Sequence, residues 1–158
     1  MISIPLNEDF EALIDNADEL LVAGFRWRVL RAGSSLTYAH AWNGYQHFYM
    51  HRLISGARAG ERVDHVNRNS LDNRRRNLRI ASASQNGANR IADQRRAGTT
   101  SQYKGVYLDR ARSKWGATIH VDGHTRSLGR FPSEQAAAAA YDRAAIAAWG
   151  EFARLNLD

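Results

Sequence analysis

The chain has 158 residues, 44% of them hydrophobic, which is enough for one domain or two small ones with an ordinary core. It has no cysteine, so disulfide frameworks and Cys-ligated zinc are excluded, and any metal must rely on Asp, Glu, Asn or His, a donor set that favours magnesium or manganese. The net charge is +6 and no stretch approaches the roughly 18 apolar residues of a membrane span; the start of the chain, with Glu8 and Asp9, lacks the basic and apolar segments of a signal peptide, so a soluble, cytoplasmic protein is expected.

Residues 1–54 read as a small sheet with a short helix. Phe25 to Val29 alternates apolar and basic residues, the period of a half-buried strand. Leu36 to Ala41 and Tyr45 to Tyr49 read as two more strands, joined at the hairpin signal Asn43-Gly44. Met50 to Ser55 is expected to form one or two helical turns ending at Gly56. Residues 61–80 read as strand, long polar loop, strand. Val63 starts the first strand, and Leu78-Arg79-Ile80 forms the second. Ser82 or Ser84 then caps a helix reaching about Gln94, which places Asn86 and Asn89 one turn apart. Arg95 to Ser101 is the expected linker. Beyond it, Tyr103 to Leu108, Trp115 to Val121 and Thr125 to Leu128 read as three strands, with a tight turn at Asp122-Gly123. Pro132-Ser133-Glu134 opens an Ala-rich helix that Gly150 ends after Trp149.

Charge is distributed unevenly. Residues 1–50 carry 3 basic and 6 acidic side chains, residues 51–96 carry 11 and 4, and residues 97–158 carry 8 and 6. The basic excess surrounds Asp64-His65, and a polyanionic partner follows. Hydrolysis of a phosphodiester needs an activated water and a neutralised leaving oxygen. His65 can take a proton near neutral pH. Asp64 offers a charged oxygen ligand and Asn86 a neutral one. Adjacent strand residues point to opposite faces, so Asp64 and His65 share a site only if the strand ends there, where the polar loop begins. Asn73 and Asn77 can tie that loop through side-chain to backbone hydrogen bonds. Arg74, Arg75, Arg76 and Arg79 are expected to meet phosphates, positioning a duplex without reading bases.

The run VDHVNRNSLDNRRRNLRIASASQN resembles the HNH endonuclease family of phage and homing enzymes, and Tyr49 to Ile54 resembles the segment preceding that motif. The resemblance implies two strands and a helix around one divalent metal ion, Mg2+ or Mn2+. It implies His65 as general base, Asn77 as the loop brace, and Asn86 as the third motif residue. Asp64 and Asn86 are then the metal ligands, with Asn89 the rival for the latter role. Products would carry 5′-phosphate and 3′-hydroxyl ends. In this reading His51 is a packing or loop-support residue.

Residues 102–157 resemble the Apetala-type DNA-binding domain of plant ethylene-response factors, through Tyr103-Lys104-Gly105-Val106, Lys114-Trp115, Leu128-Gly129-Arg130-Phe131 and the helix that follows. That resemblance implies a three-stranded sheet lying in the major groove of double-stranded DNA. Lys104, Arg110, Arg112, Lys114, Trp115, His120, Arg126 and Arg130 are its candidate contacts. The expected class is α+β: a ββα-metal nuclease module preceded by a small sheet and followed by a three-stranded antiparallel sheet packed on one helix. The expected divisions are 1–96 for the nuclease (a β subdomain at 1–50 and the metal core at 51–96), 97–101 for the linker and 102–158 for the DNA-binding domain. The alternatives are a non-catalytic DNA-binding regulator with an inactive nuclease module, and an RNA-binding protein. Whether the chain acts as monomer or homodimer is open.

Overall fold

The computed structural model describes residues 1–7, 9–32, 36–89 and 100–157. Among these the fold is mixed α+β, with four small antiparallel sheets and four α-helices. None of the helices is long and apolar enough to cross a membrane. The chain divides into two compact units, Met1–Ser82 and Ala83–Asp158. That division falls ahead of the expected linker, of which residues 97–99 lie outside the described residues, as does the end of the helix expected to reach Gln94.

In the first unit, strands β1 (Ile2–Pro5) and β2 (Glu11–Ile14) form a hairpin, followed by the single-turn helix α1 (Glu19–Val22). Strands β3 (Arg28–Ala32), β4 (Leu36–Trp42) and β5 (His47–Tyr49) make the second sheet in that order. The turn between β4 and β5 is built by Asn43, whose Oδ1 accepts from Tyr45 N and Gln46 N at 3.0 Å, beside Gly44 at φ +96. A short amide side chain satisfying its own turn is the reason Asn favours this position.

The expected strand at 25–29 begins three residues later. Phe25 and Trp27 turn inward instead: their rings lie 5.2 Å apart, and Trp27 Nε1 donates to Val22 O at 2.9 Å. Core packing of two large aromatics outweighs local alternation here. Trp27 joins Ala12, Ile14, Val22, Ala39, Ala41, Met50 and Ile54 in the core of this unit. Helix α2 (Met50–Ser55) contributes Met50 and Ile54, one turn apart on a single face, and stops at Gly56 at φ +68. Strands β6 (Arg62–His65) and β7 (Leu78–Ala81) then pair antiparallel, with Asp64 opposite Arg79 and His65 opposite Leu78.

In the second unit, helix α3 (Ala83–Ala88) precedes the sheet β8 (Val106–Asp109), β9 (Lys114–Val121) and β10 (His124–Phe131), with β9 central. Strand β10 runs past its expected end at Leu128. A bulge between Ser127 and Gly129, with Gly129 at φ +114, lets Arg130 and Phe131 resume pairing opposite Gly116 and Trp115. Helix α4 (Glu134–Trp149) is capped by Ser133 Oγ, which accepts from Ala136 N at 3.1 Å. Its small residues Ala137 and Ala138 pack with Val106 and Ala117, and Tyr141 and Ala145 pack with Ile119 and Trp149.

Gly105 makes that close approach possible. A Cβ there would lie 2.3 Å from Tyr141 Cδ2 and 2.4 Å from Thr118 O. Helix α3 belongs to this core through Ala88, through Trp149 Nε1 donating to Ser84 Oγ at 2.9 Å, and through Lys104 Nζ donating to Gly87 O and Ala88 O at 3.0 and 2.7 Å.

Candidate active site

Strand β6 ends in two buried polar residues, Asp64 and His65, at 5% and 6% exposure. The chain leaves the strand immediately afterwards. Val66 N donates to Asn77 O, Asn67 N donates to Asn77 Oδ1, and Arg68 sits at φ +63. Asn77 Nδ2 also donates to Asp72 O at 2.7 Å. One amide thus holds both Asn67 and Asp72 of the loop. The 3-10 turn Arg75–Asn77 delivers it there.

Asp64 Oδ2 accepts from Arg79 Nε at 2.9 Å and lies 2.8 Å from the second guanidinium nitrogen. His65 Nε2 lies 3.4 Å from Oδ1 of Asn73, a residue fully removed from solvent. Burial lowers the His65 pKa below its ordinary value. The hydrogen bond to Asn73 Oδ1 and the charges of Asp64 and Asp72 oppose that shift without overcoming it. His65 is therefore neutral near pH 7, the form a general base requires.

A second histidine, which sequence reasoning set aside as support, packs against the first. His51, on α2, has its ring centroid 5.4 Å from that of His65, with Tyr38 and Tyr49 at 5.2 and 5.7 Å. Its Nδ1 is buried without a hydrogen-bond partner among the described residues. Burial, then the neighbouring His65 and Arg52, push its pKa down to about 3.

The arginines expected at phosphates divide into two groups. Arg74 grips Asp72 through two nitrogens at 2.7 and 2.6 Å. Arg75 grips Asp18 in the same way, and its backbone N–H donates to Asp15. Arg79 holds Asp64. Arg76 alone of the four is exposed with no ion pair among the described residues. The carboxylates of Asp15 and Asp18, far away in the chain, were not foreseen as partners.

In the second unit the register sorts the candidate contacts by face. Lys114, His120 and Arg130 share one face of the sheet with Gly116, while Trp115, Ala117 and Ile119 share the other, packed on α4. Trp115, expected at DNA, is a half-buried core residue, because odd positions of β9 point inward. Arg126 pairs opposite Ile119, on that same side, and is exposed. Arg130 and Arg112 both pair with Asp109. Arg110 lies exposed in the β8–β9 turn. Lys104 departs from its expected role, since it caps the carbonyl end of α3, where a cation is electrostatically favoured. Asn86 is half-buried on α3, whereas Asn89 lies past the helix end and is buried.

No group of three or more His, Cys, Asp or Glu side chains converges on a metal position among the described residues. Asp64 is a hard oxygen donor of the kind magnesium or manganese takes, and its carboxylate is already compensated by Arg79.

The chain is 28% identical over 137 residues to an uncharacterized HNH endonuclease of Acanthamoeba polyphaga mimivirus, covering 86% of this chain and 69% of that protein. An overlap of that length takes in most of both compact units. No model of a protein family matches the chain, and no solved structure matches it.

Proposed function

We propose that this chain is a metal-dependent DNA endonuclease of the HNH class, of phage or mobile-element type, that hydrolyses a phosphodiester bond of duplex DNA. The observation that carries the reading is a buried His65 held at the end of β6 beside Asp64, with the following loop stapled by Asn77. The distant similarity to a protein named as an HNH endonuclease supports the same class.

In this reading His65 takes the proton from the attacking water. Its depressed pKa keeps the accepting nitrogen available at neutral pH. Asn77 holds the loop so that the imidazole stays in place. Arg76 offers an exposed cation to a backbone phosphate. Asp64 is the residue of the first unit that would hold the divalent ion, with water and phosphate oxygens completing its shell. The ion, when bound, would neutralise charge on the leaving oxygen. Because Arg79 already compensates Asp64, the cation competes with an internal ion pair, and metal affinity is set partly by that competition. In this reading Lys114, His120 and Arg130, which share one face of the β8–β10 sheet, would meet DNA edges or phosphates in the second unit.

Nicking of supercoiled plasmid in magnesium or manganese, abolished by chelator, tests the reading. The Asp64–Arg79 pair favours a non-catalytic DNA-binding protein instead. Retention of DNA binding with no cleavage in either metal is the outcome that reading requires.

A further inference from the structure

We propose that Asn73 is a positioning residue that sets the tautomer of His65, fixing the hydrogen on Nε2 and leaving the lone pair on Nδ1. This rests on the nuclease reading for its catalytic meaning, but not for its geometry.

Asn73 Nδ2 donates to Leu71 O at 3.1 Å. A backbone carbonyl can only accept, so the side-chain NH2 must face Leu71 and the side-chain oxygen must face the other way. That oxygen lies 3.4 Å from His65 Nε2. An amide oxygen also only accepts, so the Nε2 facing it carries hydrogen. In a neutral imidazole one nitrogen bears the proton and the other the lone pair. The lone pair then sits on Nδ1.

The amide is held firmly. Asn73 is fully buried. Its backbone N–H donates to Leu13 O at 2.8 Å, and Leu13 N donates to Leu71 O at 2.8 Å. Leu13 and Asp72 form a parallel bridge. The same Leu71 carbonyl thus takes both the strand β2 N–H and the Asn73 amide. The hairpin β1–β2 therefore acts as a splint for the residue that orients the base. The arrangement also suits the chemistry. A base locked in the wrong tautomer is ineffective even when its position is correct.

The test is spectroscopic and uses the full-length chain. Long-range proton–nitrogen correlation spectra of histidine-labelled protein near neutral pH distinguish the two neutral tautomers, with His65→Gln assigning the signal. Wild type is expected to show His65 as the Nε2–H form. Asn73→Asp, which keeps an acceptor oxygen, is expected to retain it. Asn73→Ala is expected to release it to a mixture, with kcat falling roughly 10–100-fold at unchanged KM and DNA affinity. A wild-type Nδ1–H tautomer overturns the assignment, as does an unaltered Nε2–H form in a folded Asn73→Ala. Should that variant not fold, wild type and Asn73→Asp still decide the matter. Correct tautomers in a chain that never cuts DNA would count against the nuclease reading and leave the Asn73 assignment standing.

Discussion

Arg79 and Asp64 face each other across the β6–β7 ladder, and the guanidinium places two nitrogens 2.9 and 2.8 Å from one carboxylate oxygen. Both side chains are largely withdrawn from water. Removing one member of such a pair leaves a charge in a poor solvent. Arg79→Met is therefore expected to destabilise the protein by about 3 kcal/mol in urea unfolding, with Asp64→Asn in the same chain recovering most of it. A stable Arg79→Met whose only defect is weaker, less salt-sensitive DNA binding would return Arg79 to the phosphate-contact role that the sequence suggested.

Arg75 and Arg76 are neighbours with opposite circumstances. Both are exposed, but Arg75 bridges to Asp18 whereas Arg76 has no ion pair among the described residues. Each phosphate captured by a cation contributes about one unit to the salt dependence of DNA affinity. Arg76→Ala is expected to lower the log–log slope by about one with little change in stability. Arg75→Ala is expected to lower the unfolding midpoint and leave the slope near its wild-type value. Binding isotherms at four salt concentrations separate the two.

His51 predicts an acid limb to stability. Its folded-state pKa of about 3 lies below the ordinary 6.5, so the unfolded chain binds the extra proton throughout that interval. Stability from this group is complete above pH 6.5 and is lost as pH falls toward 3, at up to about 1.4 kcal/mol per pH unit. Burial of His65, whose pKa is also lowered, adds a loss in the same direction. His51→Phe keeps a ring beside His65 and removes the unpartnered Nδ1. It is expected to gain stability relative to wild type as pH drops from 7 to 5. Parallel stability curves for the two proteins would contradict the assignment.

Lys104 predicts the reverse of a DNA contact. Its ammonium closes the carbonyl end of α3 at Gly87 and Ala88. Lys104→Met is expected to cost about 1–3 kcal/mol of stability, the range for a charged hydrogen bond, with the salt slope of DNA binding unchanged. A slope lowered by about one at unchanged stability would make it a phosphate contact.

The sheet of the second unit and helix α4 were legible in the sequence because their signals are local: strand alternation, Asp122-Gly123, Ser133 and an Ala-rich run. Strand β4, the Asn43 turn and α2 were legible for the same reason. The site was legible to the extent that its chemistry lies within one short segment, Asp64 to Asn77. What escaped depends on distant partners. Asp15 and Asp18 reach Arg75 across 60 and 57 residues, and Leu13 reaches Asn73 across a similar gap. No local pattern announces such pairings. Trp27 left its expected strand because a buried ring and its Nε1–H bond to Val22 outweigh alternation over five residues. The bulge at Gly129 hid the end of β10, since glycine in a strand pattern reads equally as a terminator.

The central claim is that His65 takes a proton from water at a scissile phosphate. Single-turnover cleavage of plasmid DNA in magnesium or manganese, comparing wild type with His65→Ala at matched DNA occupancy, tests it most directly. Wild type is expected to cleave, and His65→Ala is expected to lose at least about 100-fold in rate with DNA affinity nearly unchanged. Equal cleavage by both proteins, or none by wild type in either metal, would contradict it.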